Sequence, residues 1–387
     1  MRLIFVLGFS ALLAVVLTGC RAEPEPVEPV KDYDAPLPPG RLALRKITDP
    51  RQIPDFTLAC TFTFGLRESI ERSLNYLGKP SSKTYFPAGD VTHERVVAGL
   101  EAFLTLLDSR PSPQALNAEI RKKFDVYISV GCDDRGTVLF TGYYTPIFDA
   151  SPTRTEKFKY PLYKMPAGLE KLPDGSPAKP MPTRRAIEES GIYAGNELVW
   201  LAHPFDVFVV HVQGSARLRM PDGSEEMVGY AANNGHDYKS IRAELIRDKK
   251  IGSGAGLPSM RAYFRAHPGM VNEYLRRNPR FVFFGFVRGG TALGCLNEPV
   301  TAMRSIATDK KIFPRASLAF ISTTLPRHLG GRIVNVRYTG FACDQDAGGA
   351  IRAPGRCDVY MGRGEKAGQL AGRAKNEGKL YYLFLKE

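Results

Sequence analysis

The stretch Asp344–Gly362, DQDAGGAIRAPGRCDVYMG, places three aspartates among four glycines, two arginines and one cysteine. Carboxyl groups exchange protons, and glycine lets a backbone turn or approach a ligand closely. Acids beside Gly348 and Gly349 therefore read either as the floor of a binding groove or as a turn carrying solvated acids. Asp309, Asp346 and Asp358 are the C-terminal acids available for such chemistry. An unperturbed aspartic acid has a pKa of about 3.9, so at neutral pH only about one in a thousand is protonated. An aspartate that works as a proton donor must be desolvated or crowded by a like charge.

Other constellations fail. His93, His203, His211, His236, His267 and His328 are dispersed with no H-E-x-x-H, and no C-x-x-C occurs, so no metal site is expected. Ser215 follows Gly214 but lacks the second glycine of G-x-S-x-G. No G-x-x-x-x-G-K-[ST] is present, and GRGEKAG, near the C-terminus, has no βαβ unit behind it, so no nucleotide or other cofactor is expected. What remains is acid chemistry on a glycan, where the leaving oxygen of a glycosidic bond needs a proton.

Such acids need a scaffold. ERVVAGLEAFLTLLDSR (94–110) carries Leu100, Phe103, Leu104 and Leu107 at helical spacing and predicts an amphipathic helix. FDVYISVG and GTVLFTGYYTP read as strands on either side of the turn CDDRG, and FDVFVVHVQGSARL, FVFFGFV and RIVNVRYTGFAC as similar runs further on. Between FDVFVVHVQGSARL and FVFFGFV, three stretches closed by Gly or Pro read as helices. The irregular strand spacing does not fit βαβ alternation, and predicts β-barrels with inserted helices.

The front of the chain speaks to location. Arg2, an apolar run from Leu3 to Leu17, and then LTGC form the pattern of a bacterial lipoprotein signal, with cleavage before a lipidated Cys20; a plain anchor helix is the alternative. Arg21 after the cysteine suggests sorting to the outer membrane. Arg21–Gly40 holds six prolines in 20 residues and reads as an extended tether. The net charge of +13 falls to +12 when residues 1–19 leave with Arg2. Export disfavours nucleic acid as the partner of this basic surface and favours an anionic extracytoplasmic polymer, such as cell-wall glycan with peptide carboxylates. With Cys20 lipidated, five cysteines remain, and a Cys343–Cys357 bridge clipping the acidic loop is one possible pairing.

GYYTP (142–146), VQGSARL (212–218), DGSEEMVGYAANNGHDYKSI (222–241), NPRFVFF (278–284), RSIATD (304–309), DAGGAI (346–351) and CDVYMGRGEKAGQLAG (357–372) occur in this order. Over residues 40–387 the chain thereby resembles the membrane-bound lytic murein transglycosylase A family, with a C-terminal three-aspartate domain whose acids fall on Asp309, Asp346 and Asp358. The resemblance implies a mainly β fold with a groove between two domains. Residues 41–145 and 296–387 would form a double-psi β-barrel and residues 146–295 an inserted β-barrel, behind a signal peptide (1–19) and a tether (20–40).

The resemblance also implies the chemistry. Asp358 would be the single catalytic acid, cleaving the β-1,4 bond between N-acetylmuramic acid and N-acetylglucosamine in peptidoglycan and leaving 1,6-anhydromuramyl ends. Asp346, Asp309, Gly348, Gly349, Tyr143, Tyr144, Thr145, Gln213, Gly214 and Ser215 would line the substrate groove; the tyrosines also fit half-buried strand positions, and Gln213–Ser215 a turn past a strand. Partners would be glycan strands, the outer membrane through the lipid anchor, and cell-wall synthesis proteins. One departure is Arg352-Ala353, where the family usually has lysine and glycine. Two other readings remain at this point: an inverting hydrolase using Asp358 and Asp346 with its carboxyls about 6.5–9.5 Å apart, and a lipoprotein that binds wall without cutting it.

Overall fold

The computed structural model describes residues 31–172, 177–179 and 181–387. The signal peptide, Cys20 and the tether up to residue 30 lie outside the described residues. In chain order the strands are β1 (Leu44–Lys46), β2 (Phe124–Ser129), β3 (Val138–Thr145), β4 (Ile147–Ser151), β5 (Tyr160–Tyr163), β6 (Glu197–Leu201) and β7 (Ser215–Arg219). They continue with β8 (Glu225–Asn233), β9 (Val282–Phe286), β10 (Ser305–Ala307), β11 (Leu318–Leu329), β12 (Arg332–Asp346), β13 (Arg356–Arg363) and β14 (Lys375–Leu385).

Six of these strands close on themselves. The order β14-β11-β12-β10-β13-β3 returns to β14, because the first residues of β14 pair with β3 while its last residues pair with β2. Two of the pairings, β10 with β12 and β13 with β3, are parallel, which fits the expected double-psi barrel. The helices Leu66–Leu77 and His93–Asp108 pack against β12 and β14 and cover one side. Thr92 caps the second of these by accepting from the Arg95 amide at 3.2 Å. That helix buries Val96, Leu100, Phe103 and Leu106, so its inward face is turned slightly from the predicted one and Leu104 lies at its edge. Edge-on contacts of Phe56 with Phe320 (4.8 Å) and Phe103 with Phe341 (5.1 Å) fill the core between helices and barrel.

The other side of the barrel receives the insert. β3 ends at Thr145 and β4 begins at Ile147, so Pro146 alone carries the chain from one sheet to the other. The second sheet runs β5-β6-β4-β7-β8-β9, and a bridge between Lys164 and Phe284 joins its two edges. A helical layer with its own core, including Phe205, Phe208, Leu245, Met260, Phe264 and Tyr274, covers it.

Two expectations are corrected here. FDVFVVHVQ is a helix, Pro204–Gln213, not a strand. Its residues are buried almost all round, so the apolar run shows no helical period, and the decisive signals are Pro204 in the first turn and Gly214 in the left-handed conformation at the end. Cys343 and Cys357 are free and fully buried. β10 lies between their strands, so they are two strand spacings of about 4.8 Å apart, beyond the roughly 7 Å Cα separation that a disulfide tolerates.

Candidate active site

β13 puts Asp358 opposite Thr141 of β3 on one side and Ala307 of β10 on the other. The Thr141 hydroxyl donates to Asp358 Oδ1, and the carboxyl is half-buried. Burial raises its pKa above the ordinary value, while the Thr141 hydrogen bond and the more distant Arg356 charge act weakly the other way. Strand alternation brings Tyr360 to the same face as Asp358, and Tyr143 to the same face as Thr141. The Tyr143 and Tyr360 rings meet at 5.2 Å, and the Tyr360 and Thr145 hydroxyls are hydrogen-bonded at 2.7 Å.

Asp346 reaches this face because β12 is irregular. Ile306 pairs with Asp344 and the next residue, Ala307, with Asp346, so Gln345 is an extra residue in the ladder. The bulge sends three consecutive polar side chains to three places. Asp344 enters the barrel, where it pairs with Lys310 and accepts from Thr308 and Tyr382, each at 2.7 Å. Gln345 ties the helix Leu66–Leu77 to the barrel through Ser69, Ser73 and Ser305. Asp346 accepts from the amides of Cys295 (2.9 Å) and Ala347 (2.8 Å). Burial pushes its pKa up to about 6, against the pull of these amides, of Tyr143 and of Lys310. The Tyr143 hydroxyl is buried within electrostatic reach of both Asp346 and Asp358, and makes no hydrogen bond of standard geometry.

Asp309 does not join them. Its Oδ1 accepts from the Lys311 amide and its Oδ2 from the Ala353 amide, both at 3.1 Å. It thus holds Ala353, which stands at φ 69°. Gly349 faces the insert: a Cβ there would lie 3.0 Å from Arg280 Nε, so the bare backbone admits this arginine beside the loop. Gln213 crosses between the sheets, its Oε1 accepting from the Tyr144 amide at 3.0 Å. The Tyr144 side chain turns away from Asp358 and lies on Gly368. Gly214 caps the helix at φ 76°, and Ser215 is buried at the start of β7, a different setting from the expected turn past a strand.

The family model for the MltA-specific insert domain matches residues 139–285, and that for the 3D domain matches residues 304–384. A relative from Escherichia coli K12, membrane-bound lytic murein transglycosylase A, is 32% identical over 262 residues, covering 67% of this chain and 69% of that protein. The chain belongs to the membrane-bound lytic murein transglycosylase A family. Among solved structures, a membrane-bound lytic murein transglycosylase from Agrobacterium tumefaciens superposes with a TM-score of 0.73 at 25% identity, over 89% of this chain and 98% of that one. E. coli MltA with bound chitohexaose shares the fold, with a TM-score of 0.68 at 23% identity over 93% and 97% of the two chains.

Several residues that shape this transglycosylase-family site escape the motif reading. Thr141 and Tyr360 could have been found by stepping two residues along the strands from Tyr143 and Asp358. Gly294 could not, since its importance is purely spatial. A Cβ there would sit 2.5 Å from the Gln345 carbonyl oxygen, so only glycine lets the next amide reach Asp346.

Proposed function

We propose that the protein is a peptidoglycan lytic transglycosylase in which Asp358 serves first as acid and then as base. The protonated carboxyl donates to the oxygen between N-acetylmuramic acid and N-acetylglucosamine, and that bond breaks. The carboxylate left behind takes the proton of the muramyl C6 hydroxyl as its oxygen closes on C1, giving a 1,6-anhydro ring. No water enters, and the attacking hydroxyl is already tethered to the reacting carbon, so one carboxyl group suffices. The observation that carries this reading is a half-buried Asp358 with a raised pKa, bonded to a neutral hydroxyl rather than to a cation. Asp346 and Tyr143 supply a polar, desolvated wall beside it, and the relatives named for murein cleavage supply the substrate class. A lipidated Cys20 and a proline-rich tether would hold the enzyme at the periplasmic face of the outer membrane, within reach of the wall.

Digestion of purified sacculi followed by mass spectrometry of the muropeptides is the test. Anhydromuramyl ends are expected; reducing ends carrying added water would instead establish a two-aspartate hydrolase, and wall binding without cleavage a non-catalytic lipoprotein.

A further inference from the structure

A cavity of about 540 Å³ opens between the inserted domain and the barrel. Arg242 and residues 253–255 form one wall; Arg373 and Lys375 belong to the other. The lining contains three cations and no acid. The Arg242 guanidinium donates to the carbonyls of Ser253 and Ala255, which fix its position, and it has no ion-pair partner among the described residues. Arg373 and Lys375 are exposed and make no ion pair among the described residues. The walls converge where a Cβ on Gly256 would stand 3.1 Å from the Gly372 carbonyl oxygen.

The cavity also adjoins the candidate acid. Thr141, whose hydroxyl bonds Asp358, is part of its lining, and Lys375 is the cross-strand neighbour of Thr141. A glycan backbone of N-acetylated sugars is uncharged and has no use for three unpaired cations. The peptides borne by muramyl residues end in carboxylates, which arginine and lysine recognise by charge-assisted hydrogen bonds.

We propose that this cavity is a stem-peptide subsite, in which Arg242, Arg373 and Lys375 hold carboxylates of the peptide on a muramyl residue near the scissile bond. The proposal rests on the reading of Asp358 as the acid of a transglycosylase. Occupation of the cavity makes the enzyme favour strands that still carry peptides and draws the sugar toward Asp358 through the Thr141 strand.

The test compares peptide-bearing glycan strands with the same strands stripped of peptide by an amidase and then capped as lactyl methylamides, since amide cleavage leaves a carboxylate on each muramyl residue, using anhydro-end release by the full-length protein and by an Arg373→Ala/Lys375→Ala variant. The wild type should favour peptide-bearing strands by about tenfold in kcat/KM, corresponding to one moderately exposed charged contact. The double variant should bring that ratio down to about twofold, the remainder being held by Arg242, mainly through KM, and added salt should lower the wild-type ratio toward one. Arg242→Lys, which keeps the charge and loses the fork, should reduce the ratio in part. A wild-type ratio of one, a ratio unmoved in the double variant, or a proportional loss on both substrates would overturn the proposal, the last by making the cavity a sugar site. Failure of the wild type to release anhydro ends from either substrate would sink the enzymatic reading, and this proposal with it.

Discussion

Asp344 and Asp346 are two residues apart on one strand, yet one lies inside the barrel and the other on its outer face toward the insert. Inside, Asp344 has a cation, Lys310, and two hydroxyl donors. Outside, Asp346 and Asp358 accept from neutral amides or a hydroxyl and have no ion-pair partner among the described residues. Burial then raises the pKa of both outer acids. An acid supplied with a cation holds the fold together, whereas a buried acid denied one keeps its proton to higher pH than usual and is the better placed to give it away. The lesson is that aspartate count alone does not identify chemistry. Pairing does.

The sharpest way to break this contrast is to neutralise the outer acid. Asp358→Asn should reduce anhydro-end release by at least about a hundredfold, the lower range for a lost general acid, with little change in thermal unfolding. Retention of full lytic rate would remove Asp358 from the chemistry.

The inner acid should answer in stability instead. Lys310→Met leaves Asp344 buried without its cation and should cost about 3–5 kcal/mol, read as a large fall in Tm or in urea midpoint. Adding Asp344→Asn to that variant removes the stranded charge and should restore part of the loss. If Lys310→Met unfolds no more easily than wild type, the buried pair is not what separates the two regions.

Asp346 gives the third and smaller effect, and its neutralisation should stabilise the fold. Its pKa of about 6 in the fold lies above the ordinary value of 3.8. The stability tied to its proton is therefore fully present below about pH 4 and is lost as pH rises through about 6. Asp346→Asn, neutral at every pH and still able to accept from the Cys295 and Ala347 amides, should stabilise the protein at pH 7.5 by about 1–2 kcal/mol, discounted for partial exposure. At pH 4 the gain should vanish, which thermal melts at the two pH values would reveal.

Much of this was legible in the residues. The strand runs, the ordered motifs and the acids beside glycines pointed to a β-barrel scaffold and to Asp358 and Asp346. The motif reading grouped Asp309 with the other two acids because spacing does not say which oxygen meets which amide. It left Asp344 out because a bulge, which depends on the pairing with β10, decides which acid turns inward. The helix Pro204–Gln213 was hidden by burial on all sides, since amphipathic periodicity exists only where one face meets water. Likewise the cysteines 14 positions apart in sequence look bridgeable until β10 is found between them.

Asp309 supplies the last and mildest test, because the contrast predicts that it belongs to neither class. Both of its oxygens are engaged with backbone amides, one of them in a residue of left-handed conformation, which costs an alanine about 1–2 kcal/mol. Its work is that of a cap, worth about 1 kcal/mol when removed. Asp309→Ala should therefore lower stability by about that amount and speed hydrogen exchange at the Ala353 amide, with Asp309→Asn recovering much of both because the amide oxygen still accepts. The strand that follows carries Asp358, so a modest fall in lytic rate should track the loosened loop. Loss of lysis as complete as for Asp358→Asn, with Tm and Ala353 exchange unchanged, would instead put Asp309 among the reacting groups.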